Sequence, residues 1–233
     1  MRFPRTTTIV PRRKFDMKKI MFNDRFGLTT AVIEGRKTMT RRVINLPEGV
    51  SPDDVDSLEW GIDDNGKAYV TFYGEGGKIL CDVYPKYQPG ESVAVAQSYE
   101  TVYGQEESEE CQTGLEYFIC DRDKKAKEAQ DATAAAGWKN KMYVVAGLMP
   151  YWITMEGLSV ERLQNISDED CLKEGLSTND VFWYIFGEGI DPYLDAQAAF
   201  RDLIEQVGSK GIWKENPYVF VYEFVKHSHY MYK

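Results

Sequence analysis

Gly35-Arg36-Lys37-Thr38-Met39-Thr40-Arg41-Arg42-Val43-Ile44 is the stretch whose reading decides the fold. Gly35 supplies the C-terminal stop of a helix expected from about Arg25 to Glu34, with Asp24 as its cap. Thr38 to Ile44 then brings β-branched residues in a strand-like run, so the motif sits where a helix hands over to a strand. Between Arg36 and Arg42 stand four cations and two hydroxyls. That density fits anion recognition, with Arg36, Thr38, Arg41 and Arg42 as candidate substrate-binding residues, because guanidinium offers a planar fork to a phosphate. It also fits catalysis, since a lysine crowded by cations or desolvated acquires a depressed pKa and can activate a neighbouring hydroxyl. A third reading is a strand with one solvated face and no chemistry. In a regular strand Lys37 and Thr40 would point to opposite faces, so they converge only if Lys37 still belongs to the turn.

Outward from the motif, Lys18 to Phe22 reads as a short strand, and Asp64-Asn65-Gly66 marks a hairpin whose second arm is Tyr69 to Tyr73. Further strands are expected at Ser92 to Gln97, Glu116 to Ile119, Met142 to Ala146, Ile153 to Arg162 and Tyr218 to Lys226. Many short strands at irregular spacing point to a barrel or a strongly bent sheet, and a bent β-barrel with a few flanking helices is the expected form of this α+β chain. Ser167 with Asp170 opens a short helix ending at Gly175, and Asp191-Pro192 opens a longer one through Gln206 that closes at Gly208. The polar stretch of about 104–140 reads as a large insertion with one helix, and no second hydrophobic core is legible. The expected organisation is a basic flexible extension over 1–16, one domain over 17–226 and a C-terminal tail over 227–233.

The 233 residues are long enough for a substantial core, and 43% hydrophobic with 28% charged residues is globular composition. A net charge of -9 excludes a protein that coats nucleic acid with its whole surface. Yet twelve Lys and Arg face three acids between Met1 and Arg42, so that segment carries +9 and the remainder -18. Cys81, Cys111, Cys120 and Cys171 form no C-x-x-C pair, which argues against a zinc ribbon or a disulfide framework and for a cytoplasmic protein with reduced thiols. No apolar run approaches the roughly 20 residues of a membrane span. Neither a cofactor nor a metal site is expected: His227 and His229 are the only histidines and lack an adjacent cysteine or carboxylate cluster.

Lys18 to Val43 resembles the opening of ASCH-domain proteins of the PUA-like superfamily, many of them encoded by phages and prophages. Three further blocks match: Gln88-Pro89-Gly90-Glu91, then Val160 to Ser167 continuing into Asp168 to Gly175, and Ala199-Phe200 with Trp213 and Asn216 to Phe224. The resemblance spans about residues 17 to 226 apart from the insertion and the aromatic loop of 181–190. It implies a PUA-like β-barrel with a cleft for RNA or a modified nucleoside. Some small members remove the acetyl group from an N-acetylated cytidine, with the motif lysine as base, the second threonine after it as nucleophile and a glutamate on a following helix. By motif position these are Lys37, Thr40 and Glu174. The chain departs from the pattern at Ala96-Gln97, Val145, Gly147 and Tyr151. Phe182 to Phe186 and Tyr193 read either as stacking platforms for bases or as loop anchors in the core. The rival reading is a non-catalytic, phage-derived adaptor that meets a protein partner through its acidic insertion.

Overall fold

The computed structural model describes residues 17–105, 109–179, 181–185 and 192–228. A five-stranded sheet is built from β1 (Lys19–Ile20), β2 (Met39–Val43), β6 (Ser92–Val95), β7 (Tyr151–Arg162) and β10 (Tyr218–Ser228) in the order β1-β6-β7-β10-β2. β1 runs parallel to β6 and the other pairings are antiparallel. β3 (Ser57–Ile62), β4 (Ala68–Gly74) and β5 (Lys78–Val83) form an antiparallel meander, and β8 (Ser177–Thr178) pairs with β9 (Trp183–Tyr184). The helices are α1 (Leu28–Ile33), α2 (Tyr99–Gly104), α3 (Glu109–Arg122), α4 (Lys124–Ala129), α5 (Asp168–Lys173), α6 (Ala196–Val207) and α7 (Ile212–Glu215).

The main core lies between these layers. Alternate residues of β4, Ala68, Val70 and Phe72, are buried, and the Phe72 ring meets Tyr218 edge-on at 5.3 Å, joining the meander to the large sheet. α6 buries Ala196, Ala199, Phe200 and Leu203 against the same core, a stripe at helical spacing.

The chain is α+β as expected, but the expected bent β-barrel is corrected to open sheets. Among the described residues β1 and β2 are the two edges of an open sheet, with no pairing that joins them. Glu116 to Ile119 is not a strand and lies inside α3, because Leu115 and Ile119 are both buried four residues apart, a helical period rather than alternation. Met142 to Ala146 gives way to two single 3₁₀ turns, the first capped by Asn140 accepting from the Met142 N–H. α6 starts at Ala196 under an Asp195 cap rather than at Asp191-Pro192. α1 begins at Leu28, after Gly27 in the left-handed region, and Asp24 accepts from the Thr29 hydroxyl instead of capping the helix.

The insertion carries a core of its own. Tyr99, Val102, Leu115, Ile119, Ala126, Ala132 and Ala135 cluster with Ala94, Ala96, Val144, Leu148 and Met149. Asp123 caps α4 with one carboxylate oxygen and takes the Ala136 N–H on the other, which folds the alanine-rich stretch back onto the helices. The expected tail starting at 227 is also corrected: His227 and Ser228 pair with Trp152 and Tyr151 as the end of β10. The basic extension over 1–16 and the histidine at 229 lie outside the described residues.

Candidate functional site

The motif turns as Gly35 permits. Gly35 has φ of +80°, and the Lys37 N–H donates back to the Ala31 carbonyl at 2.9 Å while the Thr38 N–H reaches the Lys173 carbonyl at 2.9 Å. Lys37 is thus held in the turn before β2 begins at Met39, and the alternation that would separate it from Thr40 does not apply. From the other side α5, capped by Ser167, ends at Glu174, where Gly175 takes φ of +105°. A Cβ at Gly175 would stand 3.3 Å from Leu28 Cδ2 and 3.5 Å from Lys37 Cδ, so the bare glycine lets the turn close over the lysine.

The two segments meet in a buried charge cluster. Lys37 Nζ donates to the Glu174 carboxylate and to the Glu174 backbone carbonyl, each at 2.6 Å. Arg41 Nη1 donates to the other Glu174 oxygen at 3.3 Å, and its Nη2 donates to Glu161 at 2.7 Å and Asp170 at 2.8 Å. Lys37 is only 2% exposed and Glu174 and Arg41 are 5% exposed. Buried charges persist where paired and hydrogen-bonded, and here each cation has a carboxylate partner.

Burial pushes the Lys37 pKa below the ordinary lysine value. Arg42 and Arg41 add to that, and the charge of Glu174 opposes it without reversing it. Burial also works against the charge of Arg41, but Glu174 and Glu161 outweigh it, so its pKa is raised and it stays cationic. The cluster therefore joins a permanent cation to a lysine whose ammonium is easier to deprotonate than usual.

Beside the cluster is a cavity of about 190 Å³, lined at its floor by Lys37, Thr40, Arg41 and Glu174. Its walls are Met21, Phe22 and Asn23 from the segment after β1, Arg42 and Val43 from β2, and Phe200, Leu203, Ile204 and Val207 from α6. The Phe22 ring lies 5.7 Å from Lys37 Nζ and 5.9 Å from the Arg42 guanidinium, within cation–π range. The volume is under the roughly 300–1,000 Å³ of pockets that bury drug-sized ligands, so one ring-sized or chain-sized group fits.

Of the residues expected at a site, Lys37, Thr40, Arg41, Arg42 and Glu174 line this cavity and Arg36 and Thr38 do not. Arg36 is exposed and pairs with Glu34 at 2.7 Å, while Thr38 is held by backbone bonds to Lys173 and Phe224. Arg41, expected to bind substrate, spends its guanidinium on three carboxylates. Glu161 and Asp170 were not foreseen as its partners. The signal for Asp170 was its place one turn before Glu174; Glu161 sits across β10 from β2, a long-range pairing that no local pattern reveals. None of Ala96, Gln97, Val145, Gly147 and Tyr151 lines this cavity. Ala96 and Val145 belong to the second core, and Tyr151 packs against the first. Trp183 and Tyr193 bridge by backbone bonds and pack against the main core, the anchoring alternative, whereas Phe186 lies outside the described residues.

Among the described residues no group of His, Cys, Asp and Glu is arranged to hold a metal ion, and no helix is long and apolar enough to cross a membrane. Comparisons with family models, with curated proteins and with solved structures found no match for this chain.

Proposed function

We propose that the chain is an ASCH-type, PUA-like domain whose cavity takes up the acylated end of an N-acylated nucleoside, free or within RNA, and hydrolyses its amide. The observation that supports this most is the convergence of Lys37, Thr40 and Glu174 on one small cavity, although they come from a turn, an edge strand and the end of a helix 137 residues further on. A lysine with a lowered pKa that lines the same largely apolar cavity as a threonine hydroxyl supplies the two groups that nucleophile activation needs.

In the proposed reaction Thr40 Oγ1 attacks the acyl carbon and its proton passes to neutral Lys37. The C–N bond then breaks and the departing amine takes that proton back, leaving an ester on Thr40. Water attacks the ester, again losing a proton to Lys37, and Lys37 returns that proton to Thr40 Oγ1 as the C–O bond breaks and the carboxylic acid leaves. Glu174 orients Lys37 through the 2.6 Å bond. That bond must loosen when Lys37 turns to Thr40, a step that Arg41 eases by holding Glu174 in place.

Incubation of the protein with N-acylated cytidines, with release of free acid measured, tests the reading. Turnover that Thr40→Ala abolishes is expected, and absence of turnover by the unaltered protein rejects hydrolysis. A second reading, a non-catalytic adaptor with a protein partner, draws on exposed Tyr117 in the inserted region and exposed Met142 and Tyr143 just after it. It gains if neither turnover nor nucleoside binding is found.

A further inference from the structure

We infer that the basic segment Met1 to Asp16 docks on the outer face of the β3-β4-β5 meander of its own chain, a surface of tyrosines and carboxylates. The inner face of the meander is given to the core, because Ala68, Val70 and Phe72 alternate inward. The same alternation sends Tyr69, Thr71 and Tyr73 outward, with Glu59 opposite Thr71 on β3 and Asp82 opposite it on β5. The Tyr69 and Tyr84 rings stand 5.5 Å apart, and Gly61 makes room for the first, since a Cβ there would collide with it. Thr71 donates to Asp82 at 2.6 Å and the Tyr73 hydroxyl to Glu59 at 3.2 Å, and each exposed carboxylate keeps further acceptor sites. Ile79 and Tyr84, exposed by 61% and 50%, leave apolar surface in water on this side of the molecule.

Charge and position both select this occupant. Between Asp53 and Tyr84 eight acids stand against Lys67 and Lys78, so the meander and its turns carry -6. Between Met1 and Asp16 five Lys and Arg stand against Asp16 alone, which gives +4. Guanidinium groups stack on tyrosine rings and fork onto carboxylates, the two kinds of group this face presents. The segment joins the described residues next to the same face: Lys18 Nζ donates to the Lys86 carbonyl at 2.8 Å, and the Tyr87 hydroxyl donates to the Lys19 carbonyl at 3.2 Å. Lys86 is two residues beyond Tyr84, so Arg12, Arg13 and Lys14 start out beside the Tyr69-Tyr84 pair. Met17 also packs on the core of the insertion, but there nine acids over 104–140 are offset by five bases, a smaller charge over a longer stretch. Sixteen residues reach up to about 50 Å, against roughly 20 Å for the length of a strand such as β4.

The test is limited trypsin digestion of the full chain, with cleavage at Arg5, Arg12, Arg13 and Lys14 followed by mass spectrometry and a free peptide of residues 1–16 as the unshielded standard. Docking shields these bonds, so relative to the peptide they should be cut several-fold more slowly at about 0.02 M salt, and the shielding should fade at about 0.5 M. Glu59→Gln with Asp82→Asn, which keeps an acceptor for Thr71, should speed low-salt cleavage by about three- to tenfold, and Tyr84→Ser should do the same. Glu109→Gln with Glu110→Gln, on the insertion, should leave the rate unchanged. Circular dichroism checks the fold of each variant, and the salt response of the unaltered protein stands without them. Cleavage of the unaltered protein at the rate of the free peptide, or a rate indifferent to the meander variants, would overturn the inference. So would acceleration by the insertion pair, which puts the segment there, and shielding lost on dilution, which puts it on a second copy.

Discussion

The floor of the cavity and the helices of the insertion use the same residue types to opposite ends. In α4, Lys124 faces Glu128 at 3.7 Å with side chains 91% and 67% exposed, and nearby Lys127 faces Asp121 at 3.5 Å, also in solvent. Such pairs exchange hydration for a weak, screened attraction. At the floor, Lys37 and Arg41 meet Glu174 in the interior, where desolvation is costly and the pairing must repay it. The insertion is held by Leu115, Ile119 and small alanines, and its charges are a solvated skin. The core around β2 instead gives up hydrocarbon to hold charge next to a cavity. Stability alone does not call for that, since well-packed apolar residues often do as well or better. The proposed hydrolysis would give that cluster a use.

The largest effect that would break this contrast is at Glu174. Glu174→Leu leaves Lys37 without a carboxylate and takes one of three from Arg41, and should destabilise the fold by about 3–5 kcal/mol in denaturant unfolding. The double change Lys37→Met with Glu174→Leu should recover much of that loss. Next come the chemical variants, which should leave stability closer to that of the parent protein. Thr40→Ala should lower kcat/KM by about a thousandfold or more. Lys37→Arg should lower it by about 10²–10⁴, since guanidinium does not give up its proton at working pH.

A pH profile sharpens the comparison. Lys37 binds its proton less tightly folded than unfolded, so the unfolded chain holds more protons between the two pKa values. Stability should therefore rise with pH across that window, which ends near the ordinary lysine value of 10.5, and the rise should be missing in Lys37→Met. The ascending limb of kcat/KM should likewise have its midpoint below 10.5. A smaller effect is expected at Lys141, which joins the insertion to the cavity wall by donating to the Phe22 carbonyl and to Asp24 at 2.7 Å. Lys141→Ala should cost about 1 kcal/mol and raise KM more than it lowers kcat. Lys124→Ala, in the solvated skin, should change neither stability nor activity measurably.

How much of this was legible follows the range of the interactions. The turn at Gly35, the Asp64-Asn65-Gly66 hairpin, the Ser167 cap and the long strands β7 and β10 are written in local pattern, and they stand where the sequence puts them. Lys37, Thr40 and Glu174 were picked out by motif resemblance, and their meeting depends on Gly35 and Gly175, whose conformations a sequence permits without requiring. The insertion was misread because its helix formers are diluted with polar residues, and its core is assembled from β6, α2, α3 and the turns before β7. Arg36 looked like part of the site because it adjoins Lys37, yet one step along the turn sends it to solvent and Glu34. The open sheet order and the Arg41 partners depend on pairing over more than a hundred residues, which no window of sequence contains.

The most direct test of the central claim is intact-mass spectrometry of the protein quenched during incubation with N4-acetylcytidine, followed by peptide mapping. An acyl adduct on Thr40 is predicted, absent from Thr40→Ala and slower to form in Lys37→Arg, where the base that activates Thr40 is lost. Turnover with undiminished rate in Thr40→Ala, or an adduct on any other residue, would contradict the account.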